Sequence, residues 1–420
     1  MDPRGDAIGV RQRVLPSVDV VVVNWNTGPC LGNCLRSIVR TDRSRLRVAR
    51  IVVVDNASTD DSLRGLSAGG IPLDIVRNAT NRGFAVACNQ GAARGSSELL
   101  LFLNPDTELY PDTLRVVAAF LGTSAARATG ICGGRMLDER GRTVISCSRF
   151  PTLRVVLGKI TGLDRLAPTL FPPHHLDPTG SGPVDQVIGA FFLLRRTLFE
   201  RLDGFDQRYF LYFEETDLAL RADLLGLGSY HLHEARVRHL GGVSSARLGG
   251  GRLRHSLCSR TQYAYRHWPR THAWLLVALT LTVEPVARLA RALVRASPAE
   301  ARATLLGVGG YAHWLCAHTL HVLERRLLRA LAPDPPTAST KDHRHAHHRP
   351  LPAPPHPVHA APARDESRTA RPGAAGPRRR LRADSAAPAD PLAADPGPAG
   401  PGDQRQTGAV PATAHRRRGR

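Results

Sequence analysis

The chain has 420 residues, 42% of them hydrophobic, and a formal net charge of +21, enough apolar content for one large α/β domain with additions. Its seven cysteines are odd in number and form no CxxC pair, which argues against a disulfide framework or a zinc site and fits a reducing, cytoplasmic compartment. The arginine excess is not interleaved with aromatic residues and follows no binding module, which argues against nucleic acid as a partner.

The early residues carry Asp2, Arg4 and Asp6, and the first apolar run, 18–23, is too short and too β-branched for a secretory signal. That run reads instead as a strand buried on both faces. Residues 31–39 have helical spacing. Residues 51–54 give a second buried strand ending at Asp55, and Ser58 or Thr59 with Asp60 and Asp61 predicts the start of a helix. Residues 73–76 predict a short strand, 83–94 an Ala-rich helix, 99–103 a fourth strand, and Pro111 opens another helix. Strands alternating with helices imply βαβ units and a mostly parallel, Rossmann-like sheet, in which ligands sit at the carboxyl ends of the strands. Asn24, Asp55 and Asn104 to Asp106 all fall there.

Residues 137–183, with many Pro and Gly, read as an irregular insertion or cover. Apolar strand character returns over 184–194; 217–225 reads as a helix and 229–237 as a strand. Gly241-Gly242 and Gly249-Gly250-Gly251 bracket a loop with the character of a lid. The apolar run 275–283 is too short to span a bilayer. Residues 286–296 put Val286, Leu289 and Leu293 on one helical face and Arg288, Arg291 and Arg295 on the other; such a helix either rests on a membrane surface or packs on the domain. The stretch 304–323 is uncharged but holds three glycines and His313, His318 and His321, which argues against a span. Beyond residue 331 the chain is rich in Pro, Ala, Arg and His. Runs such as Arg378-Arg379-Arg380 cannot build a core, so a solvated, disordered tail is expected, with attraction to anionic headgroups as the functional alternative.

Several residues could carry chemistry, and each also has a structural reading. Asp55 at a strand end can accept the imide N–H of a uracil or thymine ring, or cap a helix. Asn104-Pro105-Asp106 can place a carboxylate on a hard divalent cation bridging a diphosphate, or make an ordinary turn. Phe213-Glu214-Glu215-Thr216-Asp217 gives three acids at a helix start, favoured by the helix dipole or crowded into a general base. Aromatics around them, Tyr209, Phe210, Tyr212 and Phe213, suit a sugar ring or a core. His239, just past a strand, suits a manganese-like metal or a structural role.

As an ordered set these segments resemble a bacterial family-2 glycosyltransferase with the GT-A fold, of the rhamnosyltransferase-like branch. The matching stretches are Val21-Val22-Val23-Asn24-Trp25-Asn26, residues 54–60 around Asp55 and Asn56, Asn81-Arg82-Gly83-Phe84-Ala85 with Asn89 and Gly91, Leu103-Asn104-Pro105-Asp106, Gly189-Ala190-Phe191-Phe192, Gly204-Phe205-Asp206, residues 213–218, and 239–244. The resemblance implies a base and ribose pocket from Asn24, Trp25, Asn26, Asp55 and Asn56, with Arg82 near the nucleotide. It aligns Asn104 and Asp106 with the ends of a DxD motif whose first Asp is Asn here. Asp106 becomes the main acidic ligand of a divalent Mn2+ or Mg2+, with His239 near the diphosphate and metal. Glu215 falls at the catalytic base, where Asp is more usual, and Asp217 is a second acid of the motif. Arg247 on the Gly-rich loop is a further candidate for the diphosphate.

The implied reaction is inverting transfer of a sugar from a nucleotide-sugar donor, dTDP-rhamnose or another dTDP- or UDP-sugar, to a glycan or lipid-linked acceptor in cell-envelope polysaccharide biosynthesis. The alternative is a non-catalytic nucleotide-sugar or glycan-binding scaffold that retains the fold. A nucleotidyltransferase is disfavoured because Asn24-Trp25-Asn26-Thr27-Gly28 lacks the basic residues of a phosphate loop. The expected division is an N-terminal arm (1–17), a GT-A domain (18–268), a helical segment suited to the inner face of a membrane (269–331) and the basic tail (332–420).

Overall fold

The structure, a computed structural model, describes residues 15–243 and 247–331, with side chains to residue 319. Most of the N-terminal arm, Ser244 of the last motif, and the tail lie outside the described residues. The elements run β1 (Ser17–Asn24), α1 (Pro29–Arg40), β2 (Arg47–Asp55), β3 (Leu73–Arg77), α2 (Phe84–Ala92), β4 (Leu99–Leu103), β5 (Thr107–Leu109), α3 (Thr113–Leu121) and β6 (Thr129–Leu137). The cover holds β7 (Cys147–Ser148), α4 (Leu153–Thr161), α5 (Leu163–Leu166) and β8 (His175–Leu176). Then come β9 (Gly182–Val184), β10 (Gln186–Val187), β11 (Phe191–Arg195), α6 (Arg196–Arg201), α7 (Glu214–Asp223) and β12 (Gly228–His239). The chain closes with α8 (Gly250–His267), α9 (Arg270–Leu281), α10 (Val283–Val294) and α11 (Pro298–Leu331).

The main sheet has the order β3-β2-β1-β4-β11-β6-β12-β5. β1 to β4 pair in parallel, β12 pairs in parallel with β6, and β11 and β5 run antiparallel to their neighbours. This is a mixed α/β sheet, mostly parallel, as the alternation of strands and helices predicts. Period 2 divides the buried strands between two cores. Val20, Val22, Ile51, Val53, Leu101 and Leu103 face the α1–α3 side; Val21, Val23, Val52, Val54, Leu100 and Phe102 face the α2–α7 side. Each such buried aliphatic side chain contributes about 1.5–3 kcal/mol. Asp19, inside the first apolar run, is neutralised by Arg196 at 2.8 Å and accepts two hydrogen bonds from Ser97.

Two expectations are corrected. No α-helix follows β2: Asp60 caps only a three-residue 3-10 turn, Asp61–Leu63, and Gly65, Gly69 and Gly70, all with positive φ, turn the chain before a helix can propagate. The cover is irregular over most of its length but holds a helix where none was expected, with Thr152 capping α4 through the Val155 N–H. The apolar run 184–194 is split into strands, the longest reversed against β4. Among the described residues one stretch, Arg270–Val294, is long and apolar enough to cross a membrane by length and composition. The backbone breaks there at Thr282, and buried Glu284 pairs with Arg260 and Arg288.

Candidate active site

The carboxyl ends of β1, β2 and β4, the end of β12 and the start of α7 converge on one cavity of about 1040 Å³. Trp25, Asn56, Asn104, Asp106, Glu215 and His239 line it, together with Glu214. Residues 143–148 and 174–177 of the cover form the facing wall.

Two consecutive non-glycine residues in the left-handed region, Tyr212 and Phe213, both at φ 70°, turn the chain abruptly into α7. Backbone of this kind persists only where its surroundings hold it, and here it delivers Glu214 and Glu215 into the cavity from the helix's first turn. Glu214 is 4% exposed. Burial, and then the charge of Glu215, pushes its carboxyl well above the usual carboxylate range. Glu215 is half-buried; burial raises it too, against opposing hydrogen bonds from backbone N–H groups. One oxygen of each carboxylate has no hydrogen-bond partner. A Cβ at Gly189 would stand 3.6 Å from Glu215 Cβ, an ordinary van der Waals contact, so Gly189 borders the Glu215 side chain.

On another wall Asp106 Oδ1 lies 3.4 Å from His239 Nε2, which itself is buried without hydrogen-bond geometry to any partner. Burial would raise the Asp106 carboxyl, but His239 and the Val243 amide, whose N–H donates to Oδ2 at 3.4 Å, hold it below the usual range. A carboxylate kept ionised beside an unsatisfied imidazole nitrogen suits a divalent cation. Among the described residues no cluster of three or more His, Cys, Asp or Glu forms a closed cage. Asp106 and His239 thus suit an open site, completed by water and substrate oxygens.

Other predicted residues sit apart from the cavity wall. Asn24 is fully buried beneath it; its amide donates to Asp55 at 2.8 Å, to Ser62 at 2.8 Å and to Ser58 at 3.0 Å. Asp55 in turn accepts from the Ser58 N–H, and Asn26 from Thr59. These three fix the loop that carries Trp25 and Asn56 and do not themselves line the cavity. Arg82 is exposed and outside the lining, while Arg247 stands 4.0 Å from Asp60. Asp217 also departs from expectation. It is 0% exposed and absent from the lining, and it pairs with Arg221 at 2.7 Å, Arg266 at 3.2 Å and His267 at 2.7 Å. Helical period explains this: Asp217 lies two positions from Glu215 and points to a different face of α7. Arg252 and the cover residues Lys159, His174 and His175 line the cavity without a signal in any motif.

Residues 19–202 match the family described as Glycosyl transferase family 2. An N-acetylglucosaminyl-diphospho-decaprenol L-rhamnosyltransferase of Mycobacterium tuberculosis is 27% identical over 243 residues, covering 54% of this chain and 76% of the relative. A rhamnosyltransferase of Escherichia coli is 27% identical over 163 residues, covering 38% of this chain and 59% of the relative. A mannosyltransferase of Pyrobaculum calidifontis, solved with GDP-Man and Mn2+, superposes with a TM-score of 0.41 at 21% identity, over 74% of this chain and 81% of that one.

Proposed function

From the premise that residues 19–202 place this chain in glycosyl transferase family 2 as a rhamnosyltransferase-like member, we propose that it is an inverting enzyme using a nucleotide-sugar donor. The observation that carries the reading is the meeting of Asp106 and His239 with Glu214 and Glu215 around one cavity at the carboxyl rim. Trp25 and Asn56 lie at the ends of β1 and β2, where a nucleoside would rest. Asp106 and His239 would hold Mn2+ or Mg2+, which when bound supplies charge neutralisation for a leaving diphosphate.

The like charges of Glu214 and Glu215 divide their roles. The deeper Glu214 keeps its proton, and the more accessible Glu215 ionises first and takes a proton from the acceptor hydroxyl. The oxygen then attacks the anomeric carbon on the face opposite the leaving diphosphate; one C–O bond forms, the other breaks, and the configuration inverts. The relative's rhamnosyl specificity makes dTDP-rhamnose the first donor to test, before other dTDP- and UDP-sugars. The acceptor is proposed to be a hydroxyl of a glycan or lipid-linked sugar at the cytoplasmic face of the membrane. Val286, Leu293 and Val294, exposed by 67%, 82% and 87% beside Arg288, Arg291 and Arg295, support peripheral contact there.

The test is a thermal-shift panel of UDP-, dTDP- and GDP-sugars with and without Mn2+, followed by NMR of the product's anomeric configuration. A donor that raises stability and is transferred with inversion supports the proposal. Binding without transfer to any acceptor would favour the scaffold, and retention of configuration would remove Glu215 from its role.

A further inference from the structure

A second cavity, of about 760 Å³, lies between α4 and its following turn on one side and α8 and α10 on the other. Five cationic side chains line it, Lys159, Arg165, Arg260, Arg288 and Arg291, against two carboxylates, Asp164 and Glu284. Glu284 is already shared by Arg260 and Arg288. Among the described residues Lys159 has no ion-pair partner, and burial together with the charges of Arg260 and Arg288 pulls its pKa below the usual lysine value. Arg260 Nε and His174 Nδ1 are buried without hydrogen-bond partners. Cations crowded together with spare donors make a receptor for a multiply charged anion.

Its position says which anion. Lys159, His174 and His175 line this cavity and the one holding Glu215 alike, so the two meet along that wall. The diphosphate of the donor is already provided for near Asp106 and His239. We propose that the second cavity binds the phosphate or diphosphate of a phosphate-linked sugar acceptor, whose sugar reaches across the Lys159–His175 wall to Glu215. α10 supplies Arg288 and Arg291 to this cavity and also carries the exposed Val286 and Leu293, so a prenyl chain attached to the phosphate could lie along it. The inference rests on the transferase reading and names its acceptor.

The test uses the full chain with its donor site saturated by UDP or by dTDP, and titrates inorganic pyrophosphate and geranyl diphosphate by calorimetry. The expected result is that both bind, and that Lys159→Gln and Arg291→Gln each weaken pyrophosphate by about 10-fold, the loss of one hydrogen bond to a charged group. Arg45→Gln, a charge removed from an exposed loop elsewhere, should weaken it by less than about 2-fold. Tighter binding of geranyl diphosphate identifies a lipid-linked source; equal affinity identifies a soluble sugar phosphate. Absent pyrophosphate binding in the parent, or binding unmoved by both cavity substitutions, overturns the proposal. Because binding is read apart from turnover, failure of the transferase reading shows separately, as intact pyrophosphate binding with no sugar transfer from any donor.

Discussion

Glu214 and Glu215 are adjacent carboxylates in a space that favours one proton between them. A buried carboxyl with a raised pKa stabilises the fold while protonated. That stability is lost as pH rises from the unfolded value through the folded one. Glu214→Gln keeps the shape and removes the ionisation, so it should raise the melting temperature at pH 8 and lose that advantage near pH 4. A gain of equal size at both pH values would show that Glu214 does not titrate as described. Asp106 works differently, since it is held ionised beside His239. Parent protein should bind donor more tightly with Mn2+ than with chelator, and Asp106→Ala should show no such difference. Calorimetry finding the same metal enhancement in both proteins would remove Asp106 from the metal site.

At the scale of elements, Asp217 shows how the site is braced. Its carboxylate joins α7 to Arg266 and His267 in the last turn of α8, and the Tyr209 hydroxyl donates to it at 3.4 Å. Asp217→Asn leaves Arg221 and His267 without a carboxylate partner and Arg266 with Asp206 alone, and should cost about 3–5 kcal/mol in urea unfolding. A loss under about 1 kcal/mol would make the network ornamental. The same residue explains a limit of sequence reading: position in a motif gives a residue type and a rough place, whereas the face it takes depends on where the helix begins. α7 begins three residues before the predicted start, after two left-handed residues that no local pattern announces. β6 was not foreseen at all. Its Gly130, Gly133 and Gly134 dilute strand propensity, yet a Cβ at Gly133 would stand 2.6 Å from Val187, and one at Gly134 would strike the Ala235 carbonyl. Those glycines answer to tertiary neighbours, which a linear reading does not contain.

At the scale of the molecule, the rim of the sheet was legible because buried strands announce themselves and parallel sheets bind at their carboxyl ends. That logic placed Asn104 and Asp106, which line the cavity, and equally Asn24 and Asp55, which lie beneath it; the roles of Glu215 and His239 came from the family resemblance, and the structure brings both to the same cavity. The facing wall was not legible: Lys159, His174 and His175 come from a cover that meets α8 and α10 only through contacts distant in sequence. The C-terminal helices belong to this arrangement. Tyr311 of α11 is fully buried, and its hydroxyl lies 2.8 Å from that of Thr261 in α8. Tyr311→Ala should therefore lower the main unfolding transition, by roughly 3–5 kcal/mol. A separate, earlier transition with the main one unchanged would mean that these helices melt independently. The central claim, that Glu215 is the base facing a bound nucleotide-sugar, is tested most directly by single-turnover transfer in Glu215→Gln with donor affinity measured on the same sample. The account predicts donor affinity within about 2-fold of the parent and transfer slower by about 10²–10⁴-fold; transfer at the parent rate would contradict it.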